Sequence, residues 1–181
     1  MPEQYEVKRI KDYLIAGGII GQEIMSFTFL NKGERMFRMN SKIPINSIKN
    51  STIEDIQTKA KYTFIKLNTG TLVWHYRFTG IPHLKNKSYQ NKLYTLFSLP
   101  LTEVKKEHIR LEIKLKKTTL FYVDTRCLSS MYFHPNTEIK HTLHYKNIAD
   151  DIDTFKIKPY PNIYNEIKNR RLILKDWLQR Q

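Results

Sequence analysis

Between residues 4 and 15 the apolar side chains Val7, Ile10 and Leu14 recur at the spacing that gathers them on one face of a helix. Gly17 and Gly18 follow and stop the pattern, as glycines do after a helix C-terminus. Residues 24–30 read as a strand that Asn31-Lys32-Gly33 closes, and residues 35–58 are polar and mixed with short strand-like pieces. Two hairpins are predicted further on. Residues 62–67 and 72–78 flank Asn68-Thr69-Gly70, a turn in which glycine supplies a positive φ. Ile109, Leu111, Ile113 and Leu115 alternate with polar residues at the period of a half-buried strand; Lys116-Lys117-Thr118 turns the chain, and residues 120–123 return. A long loop over residues 81–92, with Pro82 and several basic residues, is expected between the hairpins. Residues 163–181, after Pro161, carry Ile167, Leu174, Trp177 and Leu178 among charges and read as one or two amphipathic helices. A helix, then many strands, then helix predicts an α+β domain that is mainly an antiparallel β-sandwich. No internal repeat or low-complexity linker divides the chain, so residues 1–181 are expected to form a single domain.

Composition narrows the function classes. Hydrophobic residues make up 40% and aromatics 12%, enough for a core and unlike a disordered tail. No apolar run approaches the ~20 residues that span a bilayer, and Glu3, Glu6, Lys8 and Arg9 interrupt any signal-peptide pattern. No membrane partner is therefore expected. The single cysteine, Cys127, allows no internal disulfide and no cysteine-rich zinc site, and fits a reducing intracellular compartment. His134, His141 and His144 are loosely spaced like ligands, but histidine-only sites are uncommon; neither a metal nor another cofactor is expected. Thirty-one Lys and Arg against seventeen Asp and Glu give a net charge of +14, which suits a polyanionic partner such as nucleic acid. A lysine-rich soluble surface has the same composition.

The chemistry is concentrated at the start, Met1-Pro2-Glu3-Gln4-Tyr5-Glu6-Val7. Once Met1 is removed, Pro2 has a secondary amine, a nucleophile that forms an iminium at a carbonyl-like carbon without a lysine. Glu3 and Glu6 put two carboxylates near it, as general acid/base work at a sugar carbon requires. Without further context the same residues are an ordinary chain start, with two acids at the positive end of a helix.

The order of motifs supplies that context. Pro2, Glu3, Glu6 and Val7 stand in register with the opening Met-Pro-Glu-x-Pro-Glu-Val of the formamidopyrimidine-DNA glycosylase/endonuclease VIII family, and Gly21 and Ile24 match its Gly-x-x-Ile strand. Lys61-Tyr62 matches a Lys-Tyr pair that opens a central strand. His75-Tyr76-Arg77-Phe78-Thr79-Gly80 matches His-Leu-Gly-Met-Ser/Thr-Gly, and Asp124-Thr125-Arg126-Cys127-Leu128-Ser129 matches Asp-Pro-Arg-Arg-Phe-Gly. The segment from Arg170 to Leu178 resembles a later Ile-Lys-x-x-Leu helix. Each motif is short; their shared order makes the chain resemble the N-terminal domain of that family.

The resemblance implies a sandwich of the glycosylase N-terminal type, with residues 161–181 as the helical start of a connection to a second half. It implies a base-excision repair enzyme, a bifunctional glycosylase and AP lyase, that flips a damaged base and attacks C1′ with the N-terminal proline. Pro2 would be the nucleophile, Glu3 the acid/base group, and Glu6 a support for the first turn. Lys61 would contact the phosphate beside the lesion; His75 would be a second polar contact there or a core histidine. Phe78, Cys127 and Leu128 occupy positions where the family has a Met, an Arg and a Phe that fill the space of the flipped base, with Arg126 beside them. Departures are Tyr5 for the second proline, Thr125 and Ser129 for Pro and Gly, and Cys127, which lacks a guanidinium to read the opposite base. The helix–two-turn–helix and zinc-finger half lies outside the 181 residues, so the resemblance suggests a weak enzyme, with damaged or abasic DNA as partner and a separate protein or segment as a candidate for the rest of the grip. The alternative is a non-catalytic nucleic-acid-binding or scaffold module on the same fold.

Overall fold

The computed structural model describes residues 2–38, 45–85 and 105–148. Helix α1 (Gln4–Ala16) buries Val7, Ile10, Tyr13 and Leu14, the face its periodicity marks, and ends at Gly17. Gly18 follows with φ 69°, the left-handed conformation that glycine adopts without strain. Eight strands follow: β1 (Ile24–Phe29), β2 (Ile53–Lys59), β3 (Tyr62–Leu67), β4 (Gly70–His75), β5 (Ile81–Leu84), β6 (Ile109–Leu115), β7 (Thr119–Val123) and β8 (Ser130–Pro135). The described residues also include two single-turn α-helices, α2 (Ile45–Ile48) and α3 (Leu143–Lys146), and three short 3-10 turns. The strands form two four-stranded sheets, ordered β1-β6-β7-β5 and β2-β3-β4-β8, with every neighbouring pair antiparallel. One core joins their facing sides to α1: Ile65, Leu72, Trp74, Met131 and Phe133 meet Leu111, Ile113, Leu120 and Tyr122. The α+β antiparallel sandwich expected from the sequence is thus present.

Two boundaries differ from the sequence reading, each for a physical reason. Strand β4 ends at His75, three residues before the expected Phe78. The Tyr76 carbonyl accepts a bond from the Gly80 N–H at 3.1 Å, and Arg77 takes φ 53°, so the chain turns instead of extending. The loop expected from residue 81 begins as strand β5. Its Pro82 faces Tyr122 of β7, and β5 is the edge of its sheet, where a proline's lack of an N–H is tolerated. Residues 86–92 of that loop lie outside the described residues, as do the helices expected over 163–181. Finally, β8 and the segment after it carry no strong period. Strand β8 extends the sheet beside β4, and the segment after it covers the outer face of β3 and β4, where Ile139, Tyr145 and Ile148 pack on Phe64 and Val73. Consequently all six residues of β4 are buried.

Gly70 starts β4 where no other residue fits. Its φ is 149°, and a Cβ there would lie 2.3 Å from the His134 carbonyl oxygen and 2.9 Å from Pro135 Cα on β8. Gly70→Ala is expected to destabilise the domain by at least about 2 kcal/mol, lowering the thermal midpoint by roughly 4–8 °C. A melting curve superimposable on that of the wild type would show that β4 and β8 do not meet this closely.

Candidate active site and nucleic-acid interface

The chain enters α1 through Glu3, which has extended backbone (φ −87°, ψ 173°) and serves as N-cap. Its N–H donates to Glu6 Oε2 at 2.8 Å, and its carbonyl accepts from the Val7 N–H at 3.0 Å. The Glu6 carboxylate therefore satisfies a donor that the helix leaves open, and fixes the first turn. Pro2 precedes this turn and is buried. Between β2 and β3 the chain reverses through Ala60 at φ 49°, and this turn delivers Lys61 to the same place. Lys61 Nζ lies 3.0 Å from one oxygen of the Glu3 carboxylate and 2.9 Å from the other. Residues 58 positions apart in sequence thus meet at the start of α1. Both side chains are substantially exposed, and such a surface pair contributes under about 1 kcal/mol to stability. Its ammonium remains available to a competing anion.

His75 closes β4 opposite Tyr62 on β3, with the two rings 4.6 Å apart. The histidine is 8% exposed, and its Nδ1 is buried without a hydrogen-bond partner among the described residues. Burial first, then the charges of Arg77 and Lys61 and the neighbouring His144, lower its pKa to about 4. At neutral pH it is an uncharged ring with an open polar atom. Beyond Tyr62, His144 Nδ1 lies 3.0 Å from His134 Nε2 and packs against Tyr132 at 4.0 Å between centroids. Burial lowers the pKa of both histidines of this pair. The loose spacing of His134, His141 and His144 thus resolves into a hydrogen-bonded pair with His141 exposed elsewhere. Among the described residues no group of three or more His, Cys, Asp or Glu is placed to hold a metal ion.

Three residues past His75 the turn after β4 presents Phe78, and the loop after β7 presents Leu128. They are 57% and 38% exposed, large apolar side chains held in solvent. The second loop is shaped by Asp124, whose carboxylate accepts bonds from the N–H groups of Arg126, Leu128 and Ser129 at 3.1, 2.9 and 2.8 Å. Arg110 holds the loop from the other side: its Nε donates to the Asp124 carbonyl at 2.7 Å and one terminal nitrogen to the Thr125 carbonyl at 3.2 Å. With Cys127 at φ 51°, the loop turns sharply enough to set the Arg126 guanidinium over the Phe78 ring, 5.6 Å from its centre. Cys127 itself is half-buried with Sγ 3.6 Å from the Lys32 carbonyl, and burial raises its pKa, which disfavours the thiolate. The resemblance singled out Phe78, Arg126 and Leu128, yet gave no sign of Arg110 or of the stacking of Arg126 on Phe78. For Asp124 the signal was its place at the head of the motif Asp124-Thr125-Arg126-Cys127-Leu128-Ser129, a short polar side chain opening an irregular loop.

The family model described as formamidopyrimidine-DNA glycosylase N-terminal domain matches residues 1–131, and the chain belongs to this family. Among solved structures, one of the Lactococcus lactis Fpg protein with a THF-DNA and an inhibitor is similar over 75% of this chain at 21% identity, with a TM-score of 0.59. Another, of wild-type Lactococcus lactis Fpg (MutM) with an N7-benzyl-Fapy-dG containing DNA, is similar over 74% at 21% identity and TM-score 0.58. A structure of MutM with carbocyclic 8-oxo-G containing DNA is similar over 75% at 20% identity and TM-score 0.58. The matches cover 44–45% of those chains, so this chain corresponds to less than half of their length. None of the curated proteins compared matches it. Among the described residues, no helix is long and apolar enough to cross a membrane.

Proposed function

We propose that the chain is the catalytic domain of a base-excision DNA glycosylase and AP lyase that uses Pro2 as its nucleophile. The carrying observation is the meeting of Glu3, Glu6 and Lys61 beside Pro2. With Met1 removed, the Pro2 nitrogen attacks C1′ of the damaged nucleotide. The bond from C1′ to the base breaks, the base leaves with a proton, and the sugar ring opens to an iminium on Pro2. Glu3 moves the protons that ring opening and elimination require, while Glu6 keeps the turn that aims it. Loss of the 3′-phosphate by β-elimination, then of the 5′-phosphate, nicks the strand, and water releases the proline.

Lys61 exchanges its Glu3 contact for a backbone phosphate, and neutral His75 offers a polar contact beside it. Phe78 and Leu128 open the base step. The stacking of Arg126 on Phe78 supports Arg126 as the guanidinium presented to the orphaned base, one residue before Cys127, which the resemblance aligns with the family's arginine. On this reading residues 1–181 act as one domain, 161–181 lead toward a second DNA-gripping part, and damaged or abasic DNA is the partner. The burial of Pro2 favours a second reading, a non-catalytic DNA-binding module; an intact mass that retains Met1 would select it, because Pro2 would then be an amide.

The test is incubation with abasic-site DNA across a salt series. Nicking and affinity should both fall steeply with salt, since each phosphate neutralised releases counterions. Lys61→Ala should weaken binding and reduce the slope of log affinity against log salt by about 1, without lowering the melting temperature. Affinity that ignores salt would remove phosphate contacts from the account.

A further inference from the structure

The two loops that carry the wedge side chains come from opposite sheets: Phe78 follows β4 of one, and Leu128 follows β7 of the other. Both are tied to one carboxylate. Asp124 is fully buried and accepts from three N–H groups of its own loop, and the Thr79 hydroxyl donates to it from the Phe78 turn. Ser129 Oγ adds a second link, 2.7 Å from Asp124 Oδ2 and 3.0 Å from the carbonyl oxygen of Tyr76. Gly80 makes room for this junction: a Cβ there would lie 2.1 Å from Ser129 Oγ and 2.3 Å from the Tyr122 hydroxyl. An ionised carboxylate accepts at both oxygens and donates at neither, which suits a site where every neighbour is a donor. Asparagine keeps one acceptor and turns an NH2 group toward those N–H groups.

Building on the wedge assigned above, we infer that Asp124 is a positioning residue that joins Phe78, with Arg126 stacked on it, and Leu128 into one unit. The pair then enters a base step together. Thr79 is the link that can be cut with least disturbance. Thr79→Val keeps the side-chain shape and leaves the Leu128 loop's own bonds to Asp124 in place.

The experiment uses a duplex that carries 2-aminopurine beside a tetrahydrofuran abasic analogue, so that fluorescence on binding reports unstacking without any chemistry. In the wild-type background, Phe78→Ala and Leu128→Ala should each remove most of the signal, and the double variant should lose little more, the non-additivity of a coupled pair. In the Thr79→Val background the two losses should become additive, and the starting signal should fall. Asp124→Asn should lower the signal by at least about tenfold at saturation, the factor carried by one lost hydrogen bond to a charged group. If that variant melts early, Thr79→Val alone decides. Borohydride trapping on single-stranded abasic DNA should stay within about twofold of wild type for Thr79→Val, because no step needs to be opened there. Additive losses already in the wild-type background, no unstacking by wild type bound to the duplex, or coupling that survives Thr79→Val would each overturn the inference. A coupled unstacking signal from a wild type that traps no abasic DNA would instead sink the lyase reading and leave the coupling standing.

Discussion

Pro2→Gly is expected to abolish the covalent adduct that borohydride leaves between this protein and abasic-site DNA. Removal of Met1 gives Pro2 a secondary amine whose iminium with C1′ is positively charged and cannot lose an N–H proton, so it waits for elimination or for the reductant. Glycine has a primary amine and lacks the ring that fixes φ and holds the nitrogen at the head of α1. Glu3→Gln should slow trapping by about 10²- to 10⁴-fold, the range for losing a positioned proton donor. It should also free Lys61 from its partner 2.9 Å away, so DNA binding should be retained or strengthened while chemistry fails. That split separates a chemical role for Glu3 from a merely structural one. Equal trapping by wild type and Pro2→Gly would show that the proline ring is dispensable, and would leave a lysine or the bare α-amine as the trapped group.

The second large effect concerns substrate form. Single-stranded and abasic DNA should react at least about 10²-fold faster than a duplex with an oxidised base, because extruding a paired base costs a few kcal/mol and each 1.4 kcal/mol is a factor of ten. Within the duplex set, whatever preference exists for the opposite base should vanish in Arg126→Ala and survive Cys127→Ala, since the guanidinium beside Phe78 belongs to Arg126. A panel of duplex, single-stranded and abasic substrates with four opposite bases measures both. Equal rates on duplex 8-oxoguanine and abasic DNA would show that these 181 residues extrude a base unaided.

Where the sequence has a period, it was legible. The apolar face of α1 and the alternation of β6 placed one helix and one hairpin to within a residue. The motifs likewise identified Pro2, Glu3, Glu6 and Lys61 as a group, although only the folded chain brings Lys61 onto Glu3. What stayed hidden depends on tertiary context. Strand β5 contains a proline that propensity rejects and a sheet edge accepts. Strand β4 stops at His75 because of a turn hydrogen bond, not because of its own side chains. Arg126 stacks on Phe78 beside the positive φ at Cys127, a backbone feature that no periodic pattern encodes. The motif marks Asp124 as the start of its loop, but its donors from two loops appear only in the folded chain.

The central claim, that Pro2 is the nucleophile, is tested most directly by locating the covalent bond. The protein is freed of Met1, trapped on abasic DNA with borohydride, and digested with nuclease and protease, and the peptides are mapped by mass spectrometry. The account predicts that the residual sugar sits on the N-terminal peptide, attached at the nitrogen of Pro2. Sugar on Lys61 or another lysine, with an unmodified N-terminal peptide, would contradict it.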